Sequence, residues 1–332
     1  MSQSDHWVYF DGRILPLSEA KLPVLTHAFH YGTGVFEGIR AYWAPDEKEM
    51  FLFRVNEHYA RWKANCRILG IEPQMGAPEL SALTAELIRR NQFETDVYVR
   101  PLAYTSSPKV GVKPDGKFNF AIVPVPFGTY LPSENGIRAG VVSWRRVEDT
   151  AIPCRAKITG TYVNSVLATM EAAANGFDEA ILLSENGHVA EGATCNLFLV
   201  RGRQLITPPP SDNILEGITR ASIMELARRE MRLEVVERSI DRTELYVADE
   251  CFLTGTAVEL APVVNVDHRD VGAGTVGPVT KCLRDLYRES VRGGLLHYAH
   301  WLTPVYRRAA PRNRVVFEPD ALDLSLYQTI GL

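Results

Sequence analysis

The chain has 332 residues, 46% of them hydrophobic and 23% charged, with a net charge of −4. That length allows two domains with buried cores, and the slightly acidic, ordinary composition excludes a disordered chain and gives no electrostatic footprint for nucleic acid or anionic lipid. Five widely spaced cysteines without a C-x-x-C pair argue against a disulfide framework or a zinc ribbon, and the polar start Met1–Asp5 lacks a secretion-signal pattern, so a reducing cytoplasm and no membrane are expected.

Trp7–Phe10, Asp11-Gly12 and Arg13–Leu15 read as an apolar run, a turn signal and a second run, the pattern of a hairpin. A strand is predicted at Phe51–Phe53, a helix from about Asn56, and another after Pro78, where Leu80, Leu83, Leu87 and Ile88 share one stripe. Val97–Leu102 and Asn119–Val123 read as strands of the same sheet. Proline and glycine crowd the segment from Pro124 to Pro132, which places a domain boundary there. Beyond it come a strand at Gly140–Ser143, a helix from Tyr162 to Ala174 closed by Asn175-Gly176, and strands at Ala180–Leu183 and Asn196–Val200 with a turn at Glu185–Gly187. A helix opens near Thr219 with Ile223, Leu226 and Met231 on one side, a strand covers Glu250–Thr254, and Pro278 begins the last helix. From about Pro304, Arg307, Arg308, Arg312 and Arg314 cluster beside prolines and no period is sustained.

Lysine is scarce, 8 residues against 28 arginines, so each can be weighed. Lys157 lies in Cys154–Gly160 among small or apolar neighbours just ahead of a helix. A poorly solvated lysine loses its charge more readily and its neutral amine adds to carbonyls, while the plainer reading is a surface lysine at a strand end. Leu215–Arg220 puts a glycine and a threonine at a helix start, where free N–H groups and the helix dipole favour a phosphate; Thr254–Ala257 offers a second run of donors. Gly32–Gly38 falls short of a dinucleotide fingerprint because position 37 is glutamate. Glu191 reads as a solvated turn carboxylate or as the partner of a cationic ring nitrogen, and Arg61 as a surface charge or a phosphate ligand. His27 and His30 have no acidic partner at ligand spacing, so no metal site is expected.

Taken in order, His30–Arg40 (H-Y-G-T-G-V-F-E-G-I-R), the helix with His58 and Arg61, Tyr98–Leu102, Arg155–Lys157, Glu191-Gly192, Leu215–Arg220 and Thr254–Glu259 resemble the branched-chain aminotransferase family, the fold type IV class of pyridoxal-phosphate enzymes, over residues 6 to about 303. The resemblance implies a two-domain α+β fold like that of D-amino acid aminotransferase. Residues 1–124 would form a small α/β domain, 125–134 an interdomain loop and 135–303 a larger cofactor-binding domain with a β-barrel-like core; the tail 304–332 has no counterpart.

The same resemblance implies that Lys157 carries pyridoxal 5′-phosphate and shuttles the proton, that Glu191 pairs with the pyridine nitrogen, that Tyr162 bonds the ring O3′ and that Leu215 packs on the ring. Arg61, Gly217, Ile218, Thr219 and Thr256 would surround the phosphate. Tyr31, Phe36, Gly38, Tyr130 and Val112 would shape the substrate pocket, with Tyr31 and Val112 supplied by the partner subunit of a homodimer, the minimal active unit either alone or within a higher oligomer. Tyr98, Thr256 and Ala257 would take the α-carboxylate, and Arg100 with Tyr31 the distal carboxylate of glutamate or 2-oxoglutarate. The implied reaction is ping-pong transamination of leucine, isoleucine or valine with 2-oxoglutarate. The alternative on the same cofactor is an (R)-selective amine transaminase, a D-amino acid transaminase or an aminodeoxychorismate lyase. Phe127 stands where a tryptophan is frequent, Val110 where methionine or leucine is more usual, and residues 191–196 (E-G-A-T-C-N) depart from the common E-G-S-G-E-N run.

Overall fold

Asp11 and Gly12 take positive φ (48° and 87°), which turns β1 (Trp7–Phe10) directly into β2 (Arg13–Pro16). The computed structural model to which this hairpin belongs describes residues 6–128, 131 and 134–306. In chain order there follow α1 (His27–Tyr31), β3 (Gly34–Phe36), β4 (Ile39–Ala44), β5 (Glu49–Phe53), α2 (Val55–Ile68), α3 (Ala77–Asn91), β6 (Val97–Thr105) and β7 (Phe118–Pro126). Next come β8 (Ile137–Arg145), α4 (Tyr162–Ala174), β9 (Glu179–Leu183), β10 (Val189–Gly192), β11 (Asn196–Arg201), β12 (Gln204–Thr207) and α5 (Ile218–Arg229). The last are β13 (Glu234–Glu237), β14 (Glu250–Gly255), β15 (Glu259–Val266), β16 (Arg269–Asp270), α6 (Pro278–Val291) and β17 (Leu302–Pro304).

The chain divides into two units. The first comprises, among the described residues, 6–128, Ala156–Thr161 and 290–306. Its 8-stranded sheet runs β17-β5-β4-β6-β7-β1-β2, with β3 on β6. On α3, Leu80, Leu87 and Ile88 are fully buried, as their spacing predicts, and Leu83 is half-buried. Trp62 of α2 is buried with its Nε1–H donated to Val35 O (3.0 Å). The carboxylate of Glu37, on the link between β3 and β4, is also fully buried. It accepts Arg61 Nε (2.7 Å) and Nη2 (2.9 Å) and meets His58 Nδ1 (2.9 Å), which pins α2 to that link.

The segment 156–161 lies against β3. Phe36 N donates to Lys157 O (3.0 Å), Gly160 N donates to Gly32 O (3.1 Å), and Thr159 Oγ1 donates to Gly32 O (2.7 Å) while accepting Gly34 N (3.1 Å). Gly32 has φ 64°, and a Cβ there would sit 2.6 Å from Gly160 Cα. The glycines that resemble a dinucleotide fingerprint therefore serve a different need, close approach of this segment.

The second unit holds 134–155 and 162–289, with residue 131. Its 9-stranded sheet runs β10-β9-β8-β15-β14-β11-β12-β13, with β16 on β15; β8 is parallel to β9 and β15, and β12 to β13. Ala168 and Ala172 of α4 pack with Val142, Ala180 and Leu182 on one side of the sheet. Leu183, Val189, Leu197, Leu253 and Val263 belong to a larger core cluster. The buried Glu250 caps α6, its carboxylate accepting Val279 N (3.0 Å) and Thr280 N (2.7 Å).

The two-domain α+β architecture is present, but the sequence boundaries differ from the contact pattern. The stretch expected as one continuous domain, 135–303, is interrupted: Ala156–Thr161, with Lys157, and the residues from Ser290 group with the first unit. Pro124 and Pro126 extend β7, which pairs with β1 only at Ala121 and Ile122. Both prolines lie beyond that ladder, so their missing N–H is tolerated there. Tyr130 and the tail from residue 307 lie outside the described residues. Among those described, no helix is long and apolar enough to cross a membrane, no His/Cys/Asp/Glu group could hold a metal, and every cysteine is a free thiol.

Burial alone would raise the Glu37 carboxyl, but the Arg61 charge and the His58 hydrogen bond outweigh it and hold it well below the usual carboxylate range. Burial pushes His58 down, against the pull of Glu37. Both groups bind protons more weakly folded than unfolded, so acid favours unfolding. Thermal midpoints measured across pH should fall as pH drops below about 6.5 through His58, and more steeply below about 4.3 through Glu37. A midpoint that stays flat down to about pH 5 would contradict this.

Candidate active site

In the first unit, alternation along β6 puts Tyr98 and Arg100 on one face of the strand. Arg100 Nη2 donates to Tyr98 Oη (3.0 Å), and its guanidinium carbon lies 4.4 Å from the Phe36 ring centroid and 5.2 Å from that of Tyr98. Lys157 Nζ lies 5.1 Å from the same Phe36 centroid. Lys157 is thus half-buried with its backbone bonded to β3, not a surface lysine at a strand end. A Cβ on Gly38 would fall 2.0 Å from Tyr98 Oη, so glycine is what lets the tyrosine occupy that place. Phe36, Gly38, Tyr98, Arg100 and Lys157 form one group, and Glu37, between Phe36 and Gly38 in the chain, holds Arg61.

Tyr31 and Val112 also come together. Gly111 N donates to Tyr31 Oη (2.9 Å), and His27 Nε2 donates to Val112 O (3.0 Å), a carbonyl that can only accept. His27 Nδ1 meets Thr33 Oγ1 (2.8 Å), and its ring packs against Tyr31 with centroids 4.6 Å apart. His27 is therefore a buried structural tie. Apolar side chains on the same two segments are exposed: Phe29 at 77%, Val110 at 76% and Val112 at 75%.

In the second unit, Glu191 lies in β10 and is buried, which corrects its reading as a solvated turn residue. The strand is short and contains a charge, so alternation does not reveal it; its ladder to β9, with Glu191 opposite Leu182, buries the carboxylate. Arg146 Nη2 lies 2.9 Å from Glu191 Oε1, while Oε2 accepts Asn196 Nδ2 (3.0 Å) and Leu215 N (3.1 Å). Asn196 Nδ2 also donates to Leu215 O (2.8 Å). The loop carrying Leu215 is thereby tied to the glutamate, and α5 begins three residues later.

Gly217 is the N-cap of α5 and provides no side-chain cap, leaving the N–H groups of Ile218 and Thr219 directed out of the helix start. A Cβ on Gly217 would lie 2.0 Å from Asn196 Oδ1, so an ordinary capping serine or aspartate has no room there. Thr256 and Ala257 occupy the turn between β14 and β15, next to Thr254, whose Oγ1 is buried without a hydrogen-bond partner. Tyr162 opens α4. Within the second unit, a buried carboxylate and an uncapped helix start are groups that suit a cationic nitrogen and a phosphate respectively. Sequence reasoning left out Glu37, Arg146 and Asn196 as supports of this machinery; the glutamate inside the apolar run Val35–Ile39 is the one signal that could have marked the first of them.

The Amino-transferase class IV family matches residues 34–266. A probable branched-chain-amino-acid aminotransferase of Aquifex aeolicus is 48% identical over 306 residues, 92% of this chain and 98% of the relative. The crystal structure of a branched-chain aminotransferase from Thermoproteus uzoniensis with norvaline superposes with a TM-score of 0.86 at 44% identity, covering 90% of this chain and 99% of that one. The crystal structure of a branched-chain amino acid aminotransferase from Thermobaculum terrenum in its PLP-form gives a TM-score of 0.87 at 38% identity, covering 92% and 99%. The family match spans most of the chain and the first relative is matched over nearly its whole length, so this chain belongs to the class IV aminotransferases and, within them, to the branched-chain aminotransferase family.

Proposed function

We propose that the chain is a pyridoxal-phosphate-dependent aminotransferase that exchanges the amino group between L-leucine, L-isoleucine or L-valine and 2-oxoglutarate. The observation that carries this reading is Phe36, whose ring has Lys157 Nζ at 5.1 Å and the Arg100 guanidinium at 4.4 Å. A reactive amine and a carboxylate-binding cation on one apolar wall are what a site needs if it must accept both an aliphatic side chain and a second carboxylate.

When bound, the cofactor supplies the carbonyl that receives the amino group and a ring that withdraws electrons from Cα. Lys157 Nζ holds the cofactor, takes the proton from the substrate Cα and returns it. Glu191 keeps the ring nitrogen protonated, Tyr162 bonds O3′ and Leu215 packs on the ring. The N–H groups of Ile218 and Thr219, the Thr256 hydroxyl and Arg61 hold the phosphate, with Gly217 keeping the helix start open. Tyr98 and the N–H groups of Thr256 and Ala257 orient the α-carboxylate, while Phe36 and Gly38, with the partner subunit's Val112, enclose the side chain.

Arg100 lies exposed on two aromatic rings, so it can meet the distal carboxylate of 2-oxoglutarate without the cost of an unpaired buried cation when leucine is bound. Tyr31 and Val112 serve the partner subunit's site in a homodimer. Their support is the His27 tie that joins their two segments, both of which carry exposed apolar side chains.

Steady-state assays with L-leucine, D-alanine and (R)-1-phenylethylamine as donors to 2-oxoglutarate should give turnover chiefly with L-leucine; an inert L-leucine beside an active D-alanine would refute the substrate class. Lys157→Ala should lose both the visible band of the bound cofactor and turnover. Arg100→Met should raise KM for 2-oxoglutarate by roughly a hundredfold while changing that for L-leucine by less than about threefold, measured with each as the varied substrate. Dilution until the subunits separate, followed by sedimentation, should remove activity, and an active monomer would overturn the shared-site assignment.

A further inference from the structure

Glu191 does not stand alone. Arg146 follows β8 and directs Nη2 at Glu191 Oε1 across 2.9 Å, with both side chains nearly buried at 9% and 6% exposure. Its own Nε donates to Asn213 O (3.2 Å) and its backbone N to Leu183 O (2.8 Å), so the guanidinium is aimed from a fixed base. The other oxygen of Glu191 is held by neutral donors, Asn196 Nδ2 and Leu215 N. The carboxylate therefore has a neutral side and a cationic side.

We infer that Arg146 is a positioning residue for the ring-nitrogen partner: it locks Glu191 in one ionised orientation and offsets part of the negative potential that Glu191 presents. This rests on the reading of Glu191 as the partner of the cofactor's ring nitrogen. The physical argument is Coulombic. A carboxylate alone in a buried site would bind a pyridinium with its whole charge, whereas a carboxylate already sharing that charge with a guanidinium binds it less strongly. Arg146 thus sets how firmly the ring nitrogen keeps its proton, and with it the electron demand of the ring.

Two thiols face the pair, Cys154 toward both Arg146 and Glu191 and Cys195 toward Glu191; Glu148 and Asp149 lie beside Cys154, and Glu179 beside Cys195. Burial pushes the Cys154 thiol up to about 11, the Cys195 thiol well above its ordinary value and the Glu179 carboxyl upward as well. Neither thiol adds a charge near neutral pH, and the Arg146 guanidinium, 2.9 Å from Oε1, is a cation in direct contact with Glu191.

The test loads the holoenzyme with pyridoxal phosphate labelled with 15N in the ring, and reads the 15N shift together with the pH at which the visible band changes. Arg146→Gln should move the 15N signal toward the protonated-ring position and raise the midpoint of the band's pH change by about one unit, whereas Arg146→Lys should stay within a few tenths of the parent. Asn196→Ala, which removes a neutral donor from the same carboxylate, should move the midpoint by less than half as much as Arg146→Gln. An Arg146→Gln holoenzyme with both readings unchanged, or Gln and Lys variants that shift equally, would overturn the inference.

If Arg146→Gln does not fold, the cause should be the stranded carboxylate, so adding Glu191→Gln should restore folding. A double variant that is equally unfolded would overturn the pairing. Glu191→Gln alone separates the two levels of the argument. If it leaves the ring 15N shift where it was, the assignment of Glu191 itself fails. If it moves the shift while Arg146→Gln does not, only the role of Arg146 fails.

Discussion

The placement of Lys157 depends on a contact between two glycines. Gly32, in the left-handed region, and Gly160 approach so closely that any β-carbon on Gly32 would be 2.6 Å from the opposite Cα. That approach lets Gly160 N and Thr159 Oγ1 bond to Gly32 O, and it lays Ala156–Thr161 along β3 with Phe36 N bonded to Lys157 O. The lysine is then anchored through its backbone beside Phe36, leaving its long side chain to be oriented by the ring. Gly38 applies the same rule, giving Tyr98 Oη the space a side chain would fill, and Gly217 applies it to Asn196.

Around these approaches, charge is managed in buried pairs. Glu37 with Arg61 and Glu191 with Arg146 each put a carboxylate and a guanidinium out of water, an arrangement whose desolvation cost can exceed its Coulombic gain. In both, additional donors offset that cost: His58 and Gly38 N for Glu37, Asn196 and Leu215 N for Glu191. Such pairs are poor explanations of stability and good explanations of orientation. Each holds in place a residue to which we assign contact with the cofactor, Arg61 in the first unit and Glu191 in the second.

Much of the local structure was legible in the chain. The D-G turn, the α3 stripe, the α4 span with its Asn175-Gly176 ending and the start of α6 at Pro278 were read from periodicity and capping, because those signals act over a few neighbouring residues. The short strands β3, β4, β10, β13 and β17 were not. Each spans 3 to 6 residues, too short for a period to emerge, and each is stabilised by ladders to distant partners; β17 pairs with β5 some 250 residues earlier. The β10 carboxylate shows the consequence, since a glutamate in a four-residue stretch looks like a turn until its ladder is known.

The sequence by itself determined the class of chemistry. A lysine among small residues before a helix, a glycine-led helix start and an ordered series of motifs do not depend on distant contacts, and together they carried the family resemblance. Only the tertiary structure decided which residues those groups rely on. Lys157 joins the unit of Phe36 rather than that of the residues flanking it, and Glu191 acquires Arg146 and Asn196. The reason is physical: hydrogen bonding and desolvation of a buried charge depend on what lies within about 3 Å, and the residues that meet there are separated in the chain by distances no local pattern encodes.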